Sequence, residues 1–154
     1  MIKEATIERV LERLESGADD FAIEIQDFAH SQPSLMTYLT DEENDVFTDP
    51  ERELLLFGSL VIYQSVTNQL VEPEPVSEDS IGQADEANYA LVGEGKGDFR
   101  TRITPLFEKS PEEELLAFAE DLLIGGDDDD DNISVEAREP LFITLKTVVD
   151  VLTA

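Results

Sequence analysis

The chain contains no cysteine, one histidine and only ten basic residues in 154. Without thiols there are no disulfides, no thiolate metal sites and no cysteine nucleophile. A lone His30 rules out a three-histidine zinc centre. Asp27 lies three residues before it, but a ferritin-like di-iron site needs that spacing on two helices, and the chain has no second histidine. The G-x-S-x-G elbow of serine hydrolases and the G-x-x-x-x-G-K-[ST] phosphate loop are both missing. Nothing at the N-terminus resembles the apolar core of a signal peptide: Met1 to Glu8 is charged and periodic, which predicts a cytoplasmic protein.

Basic charge is scarce because acid is abundant. Thirty-seven Asp and Glu oppose ten Lys and Arg, for a formal net charge of −27. Binding nucleic acid or an anionic membrane requires cations to displace condensed counterions, so neither is expected as a partner. The carboxylates run from Glu4 to Asp150 rather than forming one tail. This composition resembles that of proteins from salt-accumulating organisms, where a Debye length of about 3 Å at 1 M salt removes most self-repulsion. An ordinary acidic protein and a polyanion mimic are the alternatives.

Apolar residues recur at helical spacing, and alternating strand patterns are nearly absent, so the expected class is all-α. In the first segment, from Ile2 to about Ser16, Ile7, Val10, Leu11 and Leu14 form one stripe, opposite a face of carboxylates with Arg9 and Arg13. Phe21, Ile25, Phe28 and Ala29 continue the pattern in a segment ending near His30. Pro33 suits the start of a short helix with Leu35, Met36 and Leu39. Asp49, as cap, and Pro50 begin a helix reaching about Gln69. Its stretch from Leu54 to Tyr63 is apolar nearly all round and predicts a central element enclosed by other helices. The uncharged run 54–71 approaches the length of a membrane span, but Gln64, Asn68 and Gln69 argue for a core helix. Gly58 and Ser59 would let a neighbouring helix approach closely.

Pro73 and Pro75 make 71–76 an extended linker. Beyond it, Ser77 or Ser80 caps a helix that ends at Gly93, and a short helix from Asp98 to Lys109 is interrupted or begun by Pro105. Ser110-Pro111-Glu112-Glu113 predicts a capping box opening a helix through Leu123. The final apolar segment, from Ser134, is kinked or restarted by Pro140. The expectation is one domain, 1–154: a compact bundle of about six or seven helices around the helix at 50–69, with two helical halves joined by the proline segment.

Two local clusters could bind ligands. Lys96, Arg100, Arg102 and Lys109 concentrate four of the ten basic residues beside glycines 93, 95 and 97, a pattern that can cradle an anion or an acidic partner. Asp127, Asp129 and Asp131, in the loop 127–132, are spaced like the first EF-hand ligands. The glycine and the bidentate glutamate of that motif are replaced by Asn132 and Arg138, leaving at most weak divalent-cation binding. No cofactor is implied. The functional expectation is a non-catalytic interaction or regulatory module with a protein partner; the alternatives are a nucleic-acid mimic and a carboxylate-based or metal-dependent enzyme.

Overall fold

The structure is a computed structural model that describes residues 2–16, 21–40, 47–93, 97–108, 110–124 and 135–153, with the backbone alone at 100, 124, 135 and 136. Among the described residues there are eight helices and no strand: α1 (Glu4–Glu15), α2 (Phe21–Ser31), α3 (Pro33–Thr40), α4 (Asp49–Gln69), α5 (Glu78–Val92), α6 (Phe99–Glu108), α7 (Glu113–Ile124) and α8 (Val135–Thr153). Eight helices roughly fit the expected six or seven, and both short segments, α3 and α6, are helical as the sequence suggested.

Two helices share the centre. Residues 58–66 of α4 and 141–149 of α8 are each buried without a break, so both elements are enclosed rather than amphipathic. The pair pack against each other; α4 also meets α1, α2, α3 and α7, while α8 also meets α5, α6 and α7. Leu60, Val61, Ile62 and Val66 of α4 meet this core with Leu141, Phe142, Leu145 and Val148 of α8. Phe142 stacks on Phe107 at 5.8 Å and takes the edge of Phe99 at 6.0 Å, which fixes α6 on α8.

Gly58 explains how closely the centre packs. A Cβ built there would lie 2.9 Å from Leu122 Cδ2 of α7 and 3.1 Å from Leu145 Cδ2 of α8. A methyl group there would require the ends of Leu122 and Leu145 to move aside.

The helix starts differ in detail from expectation. The cap of α4 is Thr48, not Asp49: its hydroxyl accepts from the Glu51 N–H at 3.3 Å, and the Glu51 carboxylate accepts from the Thr48 N–H at 2.8 Å. Asp49 becomes the first helical residue, where its charge still suits the dipole. The capping box expected at Ser110 does not form. Ser110 Oγ accepts from the Glu112 N–H only two residues on, and Glu112, 5% exposed, turns its carboxylate to the Ile2 N–H at 2.7 Å. That bond ties the chain start to the foot of α7, and α1 accordingly begins at Glu4 rather than Ile2. Neither internal proline ends its helix: α6 runs through Pro105 and α8 through Pro140. Ile103 and Leu106 on one, and Leu141 and Phe142 on the other, are fully buried, so tertiary burial outweighs the lost backbone bond.

The proline segment is extended but tied down. Gln32, fully buried between α2 and α3, donates to Pro73 O at 3.2 Å and Glu74 O at 3.0 Å and accepts from the Val76 N–H at 2.9 Å. One side chain thus supplies the partners a neighbouring strand would give. Glu72 adds a second tie, accepting from Tyr63 Oη at 3.0 Å and Ser31 Oγ at 3.3 Å.

Candidate functional site

One cluster of buried polar groups lies where α3, α5 and α8 meet. Lys146, 4% exposed, donates to Asp150 Oδ1 and Oδ2 at 2.6 and 2.7 Å and to Asn88 Oδ1 at 3.2 Å, which uses all three ammonium protons. Asn88 in turn donates to Thr147 Oγ1 at 3.2 Å and Asp150 Oδ2 at 3.0 Å. Tyr38 on α3 donates to Asp85 Oδ1 at 2.7 Å. Burial, then the hydrogen bond and negative charge of Asp85, push the phenol well above its ordinary value. The raised phenol of Tyr38 keeps its proton at physiological pH. The cluster serves to join α5 and α8, with Asp150 at the edge of a shallow groove bordered by Val76, Ser80 and Val151.

The expected basic cluster is described only in part. Lys96, Lys109 and the side chain of Arg100 lie outside the described residues. Arg102 is engaged: its Nε donates to Glu139 Oε1, and its Nη2 to the Gly93 carbonyl that ends α5, at 3.3 Å. Asp127, Asp129 and Asp131 also lie outside the described residues. Among those described, no group of three or more His, Asp or Glu side chains could hold a metal ion. Asp27 and His30 are exposed on α2.

A different feature combines shape with charge. Ile2 and Glu112 join the starting ends of α1 and α7, and the two helices lie side by side. The groove between them has a floor of Ile7, Leu11, Ala117 and Phe118 and walls of Glu4 and Glu8 from α1 and Glu114 and Asp121 from α7. Its cavity volume is about 190 Å³. That is below the roughly 300 Å³ at which small-molecule sites begin, but it is room for a bulky side chain. The helical period produces this: positions 4, 8 and 11 fall within one 100° arc of α1, beside the buried Ile7. Glu4, Glu8, Glu12 and Glu15 continue as an exposed acidic ridge on that side.

The sequence supplied each helix of the groove separately, as apolar stripes flanked by acids. Which pair of stripes would face each other depends on tertiary contacts, and the one that joins these two, from Ile2 to Glu112, spans 110 residues. Among the described residues no helix is long and apolar enough to cross a membrane. Comparison of the chain with protein-family models, curated proteins and solved structures found no match.

Proposed function

We propose that the protein is a non-catalytic interaction module whose α1/α7 groove receives a basic amphipathic segment, helical when bound, from a protein partner. The observation that carries this reading is the pairing of an apolar floor with carboxylates on both walls. An apolar anchor enters the floor, as amphipathic helices do in grooves, and Lys or Arg flanking it meet Glu4, Glu8, Glu114 and Asp121. The net charge of −27 would steer such a partner in from a distance and repel acidic competitors.

The apolar lining favours this over a nucleic-acid mimic, because a phosphate-like face needs carboxylates alone and has no use for Ile7, Leu11, Ala117 and Phe118 between them.

The test uses a synthetic helical peptide with Leu or Phe on one stripe and Lys and Arg beside it, against the same stripe flanked by Glu. Methyl and aromatic NMR signals of Ile7, Leu11, Ala117 and Phe118 should move saturably with the basic peptide alone. Binding should weaken as salt rises, and the double variant Glu8→Lys, Asp121→Lys should abolish it while retaining helicity. Unmoved groove signals in the folded protein would overturn the proposal.

A further inference from the structure

The opposite face of α1 holds a pocket of contrary sign. Its described lining is Thr6, Arg9, Val10 and Arg13 of α1 and Asn68 of α4, with a cavity volume of about 250 Å³. Among these residues there is no carboxylate, although acids outnumber bases 37 to 10 in the chain. Positions 6, 9, 10 and 13 project about 160° away from 4, 7, 8 and 11, so α1 separates its charges onto two sides. The sequence shows both arginines on the polar face of α1; it does not show that they turn from the acidic ridge toward α4.

Neutral groups orient the Arg9 guanidinium. Gln69 Oε1 accepts from the Lys3 N–H at 2.7 Å and from Thr6 Oγ1 at 2.9 Å; the fixed Thr6 oxygen then accepts from Arg9 Nη2 at 3.5 Å. Arg13 Nη2 donates to Gln64 Oε1, and the Gln64 side-chain amide, buried in α4, donates in turn to Glu24 Oε2. The long Thr6 contact occupies one of the five N–H donors of Arg9, which lines the pocket. Asn68, exposed at the end of α4, adds an amide donor.

We infer that this pocket binds an oxyanion, with Arg9 as the bidentate arm, Arg13 as the fixed cationic wall and Asn68 as a further donor. The ligand class is a carboxylate or a phosphate, since both offer paired oxygens that match a planar guanidinium fork. The inference is independent of the α1/α7 groove, which uses different residues and the opposite charge.

The experiment titrates the full chain at constant ionic strength with inorganic phosphate, acetate and, for comparison, chloride, following Arg Nε–H and Asn68 side-chain NMR signals. Saturable shifts of the Arg9 and Asn68 signals with phosphate or acetate, absent with chloride, are expected; which of the two saturates identifies the source of the oxyanion. Arg9→Gln and Arg9→Lys should each weaken binding about tenfold or more, the second at unchanged net charge, because one charge-assisted pair is lost. Arg102→Gln, which removes the same charge from the Glu139 pair, should leave affinity unaltered. Equal, unsaturating shifts with all three anions, or an Arg9→Lys affinity equal to the parent, would overturn the inference.

Discussion

Lys146 donates to both carboxylate oxygens of Asp150, one turn later on α8. The ammonium is buried, whereas the carboxylate side chain keeps 31% of its exposure, so the two partners do not contribute equally. Removing the carboxylate strands a buried cation, whereas removing the cation leaves an anion that water can reach. Asp150→Ala should therefore cost about 3 kcal/mol, near the low end for breaking a buried pair, and Lys146→Met about 1 kcal/mol or less. Urea unfolding followed by circular dichroism measures both. Equal losses would mean the pair is as wet at Lys146 as at Asp150.

Two glycines within helices should respond in opposite directions. Gly82 in α5 is exposed, and a Cβ there meets nothing within 4 Å, so Gly82→Ala gains helix propensity alone: about 0.5–1 kcal/mol of added stability. At Gly58 the same propensity gain is opposed by Leu122 and Leu145, and the larger Gly58→Val should destabilise by about 1–3 kcal/mol through overpacking. Thermal unfolding of the two variants side by side gives the sign of each.

How much of this was legible in the sequence depends on the range of the interaction. Helix positions followed from apolar spacing and proline, which act within a turn or two, and the enclosed central helix followed from the unbroken apolar run around Leu60. The second central helix was harder to read because Lys146 and Pro140 sit within it; only the pairing with Asp150 and Asn88 makes that lysine a core residue. Long-range polar ties carried no sequence signal. Gln32 could be seen as one more loop glutamine, and Glu112 as one more first-turn acid inside the capping box expected from Ser110 to Glu113, until the chain brought Val76 and Ile2 to them. Arg9 and Arg13 were visible as charges on α1, but only the placement of Gln64, Thr6 and Asn68 makes them a pocket.

Gln32 should control the strap it holds. Gln32→Leu keeps similar bulk but leaves the Val76 N–H and the Pro73 and Glu74 carbonyls without partners, at a cost of about 1–3 kcal/mol. The clearer reading is local: amide hydrogen exchange at Val76 should accelerate markedly while amides of α8 remain protected in proportion to global stability. Unchanged protection at Val76 would mean the prolines alone hold residues 71–76 in place.

The tyrosines predict behaviour in alkali. Tyr38, Tyr63 and Tyr89 are all raised above the ordinary value, each chiefly by burial; Asp85 adds to the effect at Tyr38, Glu72 at Tyr63, and Asp85 and Glu139 at Tyr89. A raised phenol keeps its proton in the fold after the unfolded chain has lost it. Between the ordinary pKa of about 10 and the folded value, the unfolded state binds fewer protons, so stability falls as pH rises. Below about pH 10 that contribution is fully present. Tyrosinate absorbance should lag behind that of a model peptide and then rise together with the loss of helical circular dichroism. Tyr38→Phe should reduce the steepness of the stability loss above that pH.

The acidic ridge of α1 offers a test of the charge itself, separate from any partner. Glu12 faces solvent with Glu8 one turn before it and Glu15 three residues after it, and it is not part of the groove lining. Like charges at these spacings repel by about 0.2–0.5 kcal/mol per pair, and opposite charges attract by as much. Glu12→Lys turns the repulsions from Glu8 and Glu15 into attractions, reverses the attraction to Arg9 three residues before it, and should on balance stabilise the fold by about 0.5 kcal/mol in dilute buffer. At 1 M salt the Debye length falls to about 3 Å and the difference should vanish, while the parent itself gains stability as self-repulsion is screened. Melting temperatures of parent and variant across that range would then converge from below. Parallel curves would mean that α1 carboxylates do not interact at these distances, and a parent indifferent to salt would mean that a net charge of −27 is borne without strain on the fold.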